Sequence, residues 1–504
     1  MKLRMKLAIK CVLFILITTL CVISVNRWMC PKYFYNDEWP TTSTYSDFYD
    51  LKKNTVDVLF LGSSHAASSF NPQVIYDSYG ITSYNLGCEQ QSIFMSYYWL
   101  KEALKYQSPS LVVLETYTFF KYIDAYVYNR MNCSEAALRK TLDCMKLSPL
   151  KIRAALEVER IDPSQSALSY ILTNIRYHNR WMNLGENDYT GSSMAAHGGI
   201  KGYSFRTGTD PGAEDVVFSD SDAAEAEGKA MAWIAEEYLD RIVRLCREKG
   251  IRLVFVKIPS GESAGRYRTT REYADQNGID YYDFNEEKLY HELAYSAERD
   301  RYSHPNWSGA EKISLYIGRL LREKYAVAPR EDSSYEKSGK LFRHLMKNAE
   351  IQEEDDACRY LGLLKDEQYT VFVLAPSVRI EDPDADIAGA LKSLGFQADL
   401  EGADSSMHYC AVADAGGVKE KLTADDMSFS GSVRGGLIPY TFRIDTSVMR
   451  PRYHTYSLMI NGVEYGGSGD GMRIVVYDNE LKGIIDTATI MADETGARIE
   501  RQQS

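Results

Sequence analysis

The chain has 504 residues, 45% of them hydrophobic and 12% aromatic, and a formal net charge of −12. Its length predicts two or three folded domains rather than one, and its acidic balance disfavours a nucleic-acid partner. The nine cysteines form no C-x-x-C pair, so the sequence predicts no metal site, and it indicates no cofactor.

The N-terminal segment predicts a membrane helix. Residues 1–6 contain three basic side chains, and residues 7–25 form a hydrophobic run that would be about 28 Å long as a helix, enough to span a bilayer. The basic flank predicts a cytoplasmic N-terminus and export of the rest. Residues 1–28 are therefore interpreted as a cytoplasmic tip and a single-pass anchor in the cell membrane. A cleaved signal peptide is the alternative, but no small-x-small cleavage site follows Val25.

Strands and helices alternate from residue 56 onwards. The apolar run at 56–61 predicts a buried parallel strand. We predict the other strands at 81–87, 110–115, 251–258 and 280–284, and helices at 89–106, 230–248, 265–277 and 307–323. This alternation predicts an α/β domain over residues 50–325, with helices on both faces of a parallel sheet. An insertion at about 117–231 interrupts it, with helical patterns around 134–158 and 164–182 and a glycine-rich loop at 198–213.

The C-terminal third has a different pattern. Residues 326–366 are rich in charge and predict a linker that contains a helix near 338–349. A second domain at 367–495 has mostly short strand-like runs and one helical pattern at 384–394; the runs lie at 369–374, 408–413, 440–445, 456–460, 472–478 and 484–490. The sequence therefore predicts a small β-rich (α+β) module.

The first strand ends in Gly62-Ser63-Ser64, at the sheet edge where open α/β folds bind ligands. A serine there becomes a nucleophile if a histidine elsewhere accepts its proton. The alternative is an ordinary turn with Ser63 or Ser64 as the helix N-cap. His65 is expected to pack locally. Glu115, at the end of the third strand, is interpreted as a solvated strand end, with an acid in the crevice as the alternative.

A second polar stretch, Asp300-Arg-Tyr-Ser-His304-Pro-Asn306-Trp-Ser-Gly309, follows the fifth strand. Together with the serine turn it resembles the SGNH (GDSL-type) hydrolase superfamily, in which the nucleophile follows strand one and a D-x-x-H box lies near the domain end. The Gly-Ser-Ser form of the box, preceded by an anchor, is similar to the exported branch that includes DltD and the alginate and peptidoglycan O-acetyltransferase accessory proteins. The resemblance implies a three-layer αβα, flavodoxin-like fold.

The resemblance also implies roles for individual residues. Ser64 would be the nucleophile and His304 its general base, and Asp300 would orient the imidazole. Asp300 departs from the pattern because it lies four residues before His304 rather than three, and Arg301 occupies the expected position. The alternative for His304 is a surface histidine at the start of a helix.

The same resemblance implies the oxyanion and substrate-binding groups. The backbone N–H groups of Ser64 and Gly87 would stabilise the oxyanion, with Asn85 and Asn306 beside them. The third block of the pattern normally brings an asparagine after strand three, but Glu115-Thr-Tyr stands there instead. Asn306 has a simple alternative role as a helix cap.

The C-terminal domain resembles the interleukin-like EMT inducer (ILEI) domain. The resemblance rests on the segments Ile460-Asn-Gly-Val-Glu-Tyr465, Gly469-Asp-Gly-Met-Arg-Ile-Val-Val-Tyr-Asp478 and Gly483-Ile-Ile-Asp-Thr-Ala-Thr489. It implies a compact β-sandwich-like module associated with carbohydrate-linked proteins, without catalytic residues. A structural extension without a ligand is the alternative.

These resemblances imply a membrane-anchored, extracytoplasmic acyltransferase or esterase that acts on acetyl-type groups of a cell-surface polysaccharide. In the exported branch, an integral membrane-bound O-acyltransferase commonly supplies the acyl group. The alternative is a catalytically decayed protein that binds glycan or serves as an accessory in a polysaccharide-modification complex. Arg301 and the absent third-block asparagine favour this second hypothesis.

Overall fold

The computed structural model describes most of the chain and divides it into two compact units, residues 1–343 and 344–504. The boundary falls within the helix Ser334–Glu353. The described residues are 2–31, 41–121, 134–184, 199–214, 216–221, 223, 226–378, 386–403, 406–433, 438–445, 455–466, 471–493 and 496–501. Gly469, which belongs to the ILEI-like pattern, lies outside them.

A five-stranded parallel sheet forms the centre of the first unit. Its strands are β1 (Val58–Leu61), β2 (Ser83–Asn85), β3 (Leu111–Glu115), β4 (Arg252–Lys257) and β5 (Asp280–Asp283). All neighbours pair in parallel, in the order β2-β1-β3-β4-β5. This is the doubly wound, flavodoxin-like order. The predicted fold class and the predicted succession of strands along the chain are therefore confirmed.

Apolar side chains on both faces of the sheet explain the continuous hydrophobic runs. Val58 and Phe60 of β1 pack in one core cluster, whereas Leu59 and Leu61 pack in a second cluster on the other face. Successive strand residues point to opposite faces, so a strand covered by helices on both sides must be apolar throughout. The result is a three-layer αβα unit.

Four helices of this unit lie at the predicted positions, Ile93–Ala103, Trp233–Lys249, Ala264–Asn277 and Trp307–Glu323, and four further described helices outside the insertion were not predicted. The further helices are Thr41–Asp50, Ser64–Ser69, Pro72–Tyr79 and Glu287–Glu292, and a 3₁₀ turn lies at Tyr117–Phe120. The N-terminal helix Lys2–Met29 precedes them. Its segment Arg4–Met29 has a mean hydropathy of 2.5 and is long enough to cross a bilayer. A signal sequence passes the same test.

The insertion contains more helices, and shorter ones, than its sequence pattern predicts. The described helices are Ser134–Asp143, Pro149–Ile161, Ala167–Ile171 and Asn174–Tyr177, followed by the 3₁₀ segment His178–Asn183. Ser148 caps a new helix that starts at Pro149, because proline is favoured at the first helical position and cannot continue a preceding helix. The single predicted helix at 134–158 is therefore two helices.

Two antiparallel sheets form the second unit. One has six strands, in sheet order Gly417–Thr423, His408–Asp414, Tyr369–Ala375, Met472–Asp478, Gly483–Asp493 and Gly496–Arg501. The other has four, Met427–Val433, Ile438–Asp445, Thr455–Ile460 and Val463–Glu464. The sequence did not indicate Gly417–Thr423, because this charged strand lies at the sheet edge and is largely solvated.

The six-stranded sheet buries both of its faces. Phe372 and Leu374 pack with Phe442 and Leu458 of the four-stranded sheet, which makes the two sheets a sandwich. Val371 and the other strand residues whose side chains point the opposite way pack on the other face of the sheet. The helices Ala357–Leu363 and Ile387–Ser393 cover that face. The predicted β-rich α+β class is confirmed.

The charged stretch at 326–366 contains one more helix than its sequence pattern predicts. It contains the helices Ser334–Glu353 and Ala357–Leu363. Ile351, Tyr360 and Leu361 are fully buried in the core of the second unit. The charged residues of this stretch therefore cover helices that carry apolar core side chains on their other face.

Candidate active site

Ser64 lies immediately beyond the carboxyl end of β1. Gly62 turns the chain out of the sheet with a φ of 145°, and a Cβ there would come within 2.7 Å of the Glu115 Cβ. Ser63 then caps the helix Ser64–Ser69, since its hydroxyl accepts a hydrogen bond from the His65 N–H. Of the two serines that could cap the helix, Ser63 is the N-cap. Ser64 is the first residue of the helix, and its hydroxyl is directed to the sheet edge.

The structure brings Ser64 and His304 together across 240 residues of sequence. The Ser64 Oγ lies 2.8 Å from the His304 Nε2. His304 is held in a tight hairpin of Arg301–Tyr302 and His304–Pro305, whose turn residue, Ser303, has a φ of 57°. The Ser303 hydroxyl lies 3.1 Å from the His304 Nδ1. When Nδ1 donates to Ser303, Nε2 is left as the acceptor for the Ser64 hydroxyl.

The environment of His304 keeps its imidazole neutral. Burial lowers the pKa of His304 to about 4, the positive charge of Arg206 acts in the same direction, and Glu89 opposes them. The imidazole is uncharged at neutral pH and can accept a proton from Ser64. A base of such low pKa is a weak one, because the imidazolium that forms gains little from its surroundings.

Asp300 does not contact the imidazole, which corrects its expected role. Its carboxylate accepts hydrogen bonds from the Ser296 N–H at 2.7 Å, the Ser308 hydroxyl at 2.9 Å and the Lys312 ammonium at 2.6 Å. The extra residue between Asp300 and His304 lets the chain form the hairpin, so the carboxylate stays at the hairpin base. Asp300 stabilises the loop that carries the histidine.

Asn306 also has a structural position rather than one facing a substrate. Its Oδ1 accepts a hydrogen bond from the Gly309 N–H at 3.1 Å, which caps the helix Trp307–Glu323. Its Nδ2 donates to the carbonyl oxygens of Gly208 and Arg299, at 2.8 Å each. Gly309 is required because a Cβ there would lie 2.3 Å from a backbone oxygen. The capping alternative describes Asn306 in this structure.

Asn85 and Gly87 hold the serine helix in place. The Asn85 Nδ2 donates to the carbonyl oxygens of Ala66 and Phe70, at 2.8 Å each. The Gly87 N–H donates to the Asn85 Oδ1 at 2.9 Å. A Cβ on Gly87 would lie 2.8 Å from the Ala67 nitrogen. Gly87 is thus a close-approach position whose N–H is already bonded, which corrects its expected role as an oxyanion donor.

A buried acid, Glu115, lies beneath the serine turn. Glu115 is fully buried, whereas the sequence interpretation was a solvated strand end. Its carboxylate accepts hydrogen bonds from the Ser63 hydroxyl at 3.1 Å and the Tyr117 N–H at 2.9 Å. Burial raises the pKa of Glu115 to about 7, against the opposing charge of Lys257. The signal in the sequence was an acidic residue where the SGNH pattern has asparagine.

His65 belongs to the same buried layer. Its ring packs on Tyr117 with centroids 3.9 Å apart, and meets His304 edge-on at 5.3 Å. Its Nδ1 lies 3.9 Å from the Glu115 carboxylate. Burial, followed by the charge of Lys257, lowers the pKa of His65 well below its usual value. This local packing supports the imidazole of His304 from one side.

A segment of the insertion, residues 199–208, crosses the site and was not assigned to it from the sequence. The Ser204 N–H donates to the Ala67 carbonyl at 2.8 Å. The Trp307 N–H donates to the Arg206 carbonyl, also at 2.8 Å. The segment therefore joins the loop that carries Ser64 to the loop that carries His304. We call residues 199–208 the bridging segment.

Among the residues that the structure describes, no group of three or more His, Cys, Asp or Glu side chains is placed to hold a metal ion. The chemistry available at this edge of the sheet is that of the serine, the two histidines and the buried glutamate. A serine hydroxyl hydrogen-bonded to a neutral imidazole can perform nucleophilic acyl transfer.

Comparison with known proteins gives limited similarity. No protein-family model matches the chain, and no curated protein matches it. A G-D-S-L family lipolytic protein from Desulfitobacterium hafniense DCB-2 is 10% identical, with a TM-score of 0.26 over 52% of this chain and 98% of its own. A GDSL-like lipase from Bacteroides thetaiotaomicron VPI-5482 is 11% identical, with a TM-score of 0.25 over 56% and 99%. Similarity this low assigns no activity.

Proposed function

We propose that the chain is a membrane-anchored, extracytoplasmic acyltransferase or esterase of SGNH type that acts on acetyl-type groups of a cell-surface polysaccharide. The observation that carries the proposal is the contact of 2.8 Å between the Ser64 Oγ and the His304 Nε2. The two residues come from opposite ends of the domain sequence, and they meet at the carboxyl edge of a parallel sheet, the usual place for an α/β active site.

The reaction begins with attack of the Ser64 oxygen on the carbonyl carbon of a sugar ester. The hydroxyl proton moves to the His304 Nε2. Collapse of the tetrahedral intermediate breaks the ester C–O bond, and the imidazolium returns its proton to the departing sugar oxygen. The acyl group is then on Ser64. Water or an acceptor sugar hydroxyl attacks the acyl carbon and gives its proton to His304. The bond between the acyl carbon and the Ser64 Oγ then breaks, and His304 returns the proton to that oxygen.

The oxyanion of the intermediate needs hydrogen-bond donors. In the described part of the chain, the Ser64 N–H has no partner, and it lies at the start of a helix, where N–H groups point outwards. We propose it as a donor.

The membrane and the partner belong to the same proposal. The apolar helix Arg4–Met29 and its basic flank support a single-pass anchor with the main units outside the cell. For the transferase reaction, an integral membrane-bound O-acyltransferase is the proposed source of the acyl group in place of the sugar ester, by similarity to the exported DltD-like branch. The proposed ILEI-like role of the second unit is to bind the polysaccharide, and its sandwich of antiparallel sheets supports this.

A second candidate is a catalytically decayed glycan-binding or accessory protein. Two observations favour it. The His304 Nδ1 contacts a hydroxyl rather than a carboxylate, and the Gly87 N–H is bonded within the protein. Under this hypothesis the fold and the second unit bind glycan, and Ser64 transfers nothing.

A serine-reactive fluorophosphonate distinguishes the two functions. We expect label on the wild-type protein and none on Ser64→Ala or His304→Ala. Ser69→Ala is the matched control, because Ser69 lies on the same short helix and is also buried, and we expect full labelling. Esterase turnover on an acetylated sugar should fall by several orders of magnitude in both site variants.

Two results contradict the enzyme proposal. A folded Ser64→Ala protein with wild-type turnover shows that the site assignment is wrong. A wild-type protein that is unlabelled and inactive even with its membrane partner present supports the binding function instead.

A further inference from the structure

The insertion presents a set of apolar side chains to solvent between residues 167 and 183. Their exposed fractions lie between 40% and 65%. We call this set the apolar rim, and its members are Leu168, Leu172, Ile175, Trp181 and Met182. Contiguous exposed apolar surface on a folded unit marks a place where something binds.

The inner side of the same segment is tightly fixed. The Tyr170 ring is buried beneath the Arg139 guanidinium, with 3.6 Å from the Arg139 Cζ to the ring centroid. The Ser169 carbonyl oxygen accepts a hydrogen bond from Arg139 at 2.9 Å. The Tyr177 hydroxyl donates to the Asp143 carboxylate at 2.8 Å. Because these contacts fix one side of the segment, the side chains of the apolar rim are held outwards and cannot turn into the core.

Hydrogen bonds connect this segment to the end of the N-terminal helix. The Asn26 Oδ1 accepts from the Thr173 hydroxyl at 2.9 Å and from the Asn174 N–H at 2.7 Å. The Met29 carbonyl oxygen accepts from the Arg180 guanidinium at 2.7 Å. Asn26 and Met29 form the last turn of the helix Lys2–Met29. A helix that spans the bilayer therefore places the apolar rim at the membrane surface.

The charges around the apolar rim suit an anionic bilayer. Residues 163–184 contain Arg176 and Arg180 and no acidic residue, although the whole chain carries a net charge of −12. Basic residues near a membrane attract anionic headgroups. Tryptophan is enriched at the level of the headgroups, and Trp28 on the helix and Trp181 on the rim are both exposed.

We infer that the apolar rim docks on the outer surface of the lipid bilayer, with Trp181 and Met182 inserted beside the end of the anchor and Arg176 near anionic headgroups. The inference rests on the membrane anchor in the proposed function. One spanning helix leaves a soluble unit free to swing, whereas a second contact beside it fixes the orientation of the first unit on the membrane.

The test is tryptophan quenching in the full-length protein, reconstituted into vesicles of phosphatidylcholine and phosphatidylglycerol with brominated acyl chains. Bromine quenches only tryptophans that reach the acyl region. We expect Trp181→Phe and Trp28→Phe each to remove a comparable share of the quenched emission. Trp233→Phe is the matched control: Trp233 is also exposed, at the start of the helix Trp233–Lys249, and its loss should leave the quenched emission unchanged.

The outcomes separate this inference from the proposed function. If Trp28→Phe removes quenching and Trp181→Phe does not, the anchor stands and the docking of the rim is wrong. If neither variant removes quenching, the anchor fails, and the docking fails with it. The exposure of Trp181 makes its replacement by phenylalanine tolerable to the fold, and an unchanged near-UV circular dichroism spectrum verifies this. Fluorophosphonate labelling of the same samples reports on Ser64 independently.

Discussion

The Nδ1 atom of His304 lies 3.1 Å from the hydroxyl oxygen of Ser303, at the position where a catalytic triad has a carboxylate. A hydroxyl can fix the tautomer of the ring, but it brings no negative charge. Burial and Arg206 keep the pKa of His304 at about 4. The site is therefore a serine–histidine pair with a neutral third partner, and the proposed acyl transfer depends on a weak base.

Replacing Ser303 with aspartate should restore the missing charge. Ser303 has a φ of 57°, a conformation that aspartate tolerates better than most residues. The carboxylate stabilises the imidazolium, so the pKa of His304 should rise by about 1 to 3 units. Activity requires the neutral ring, so the pH below which kcat/KM falls should rise from about 4. At neutral pH, kcat should increase.

Ser303→Asn is the matched control, because asparagine fits the same backbone and offers a neutral oxygen. Its pH profile should stay close to that of the wild type. Identical acidic limbs for the aspartate and asparagine variants would show that the side chain at position 303 does not act on the imidazole.

Asp300→Asn should lower stability rather than catalysis. The carboxylate is buried and accepts a charged hydrogen bond from Lys312 at 2.6 Å, so its neutralisation should cost about 2 kcal/mol of unfolding free energy. The control is Asp280→Asn, which removes a solvated pair with Lys324 and should cost little. A large fall in kcat at an unchanged melting temperature would show instead that Asp300 contributes to catalysis.

Glu115→Gln should remove a pH dependence of stability. Burial raises the pKa of Glu115 from 4.5 to about 7 in the folded state. The folded chain therefore holds a proton that the unfolded chain releases, and stability falls as pH rises from 4.5 through 7. The wild type should lose about 2 to 3 kcal/mol over this range, and the glutamine variant should lose much less.

The measurement is urea unfolding of the first unit at about pH 5 and about pH 8, below and above the midpoint of this titration. Glu272→Gln serves as the control, because Glu272 is exposed on a surface helix and should leave the pH dependence unaltered. Equal slopes for the wild type and Glu115→Gln would mean that Glu115 is ionised throughout.

The second unit should fold when its fragment starts at residue 344 and fail when it starts at 367. The shorter fragment lacks Ile351, Tyr360 and Leu361, which are fully buried in the core, and each such side chain contributes about 1.5 to 3 kcal/mol. It also lacks the pair of His344 and Asp478 at 2.5 Å. We expect cooperative urea unfolding only for 344–504. Equal midpoints for the two fragments would show that these helices are dispensable.

The sheet and the reactive pair could be predicted from the sequence for a simple reason. Strands buried on both faces must be apolar throughout, so the sequence shows β1, β3 and β4 as runs of hydrophobic residues. Once the strands are known, parallel topology places the turn after β1 and the loop after β5 at one edge. Topology brings the loops of Ser64 and His304 together, and the resemblance to the SGNH pattern selected these two residues within the loops.

The partners of the polar side chains could not be predicted in this way. An acidic residue at the end of a strand looks the same in the sequence whether it is exposed to solvent or buried beneath a turn. For Glu115, the close approach of Gly62 in the structure distinguishes the two. Asn85 and Asn306 have the right chemistry to bind a substrate, yet backbone groups of their own domain use their hydrogen bonds. A one-residue difference in loop length moved Asp300 away from the imidazole.

The bridging segment has a consequence for the order in which the site assembles during synthesis. Ser64 and His304 are 240 residues apart, and the entropy of closing so long a loop delays their meeting. Residues 199–208 can bind the backbone of Ala67 before the ribosome has made His304. The incoming hairpin then meets a surface that already offers the Arg206 carbonyl to Trp307. We therefore expect the bridging segment to pack on the serine loop before the second half of the site folds.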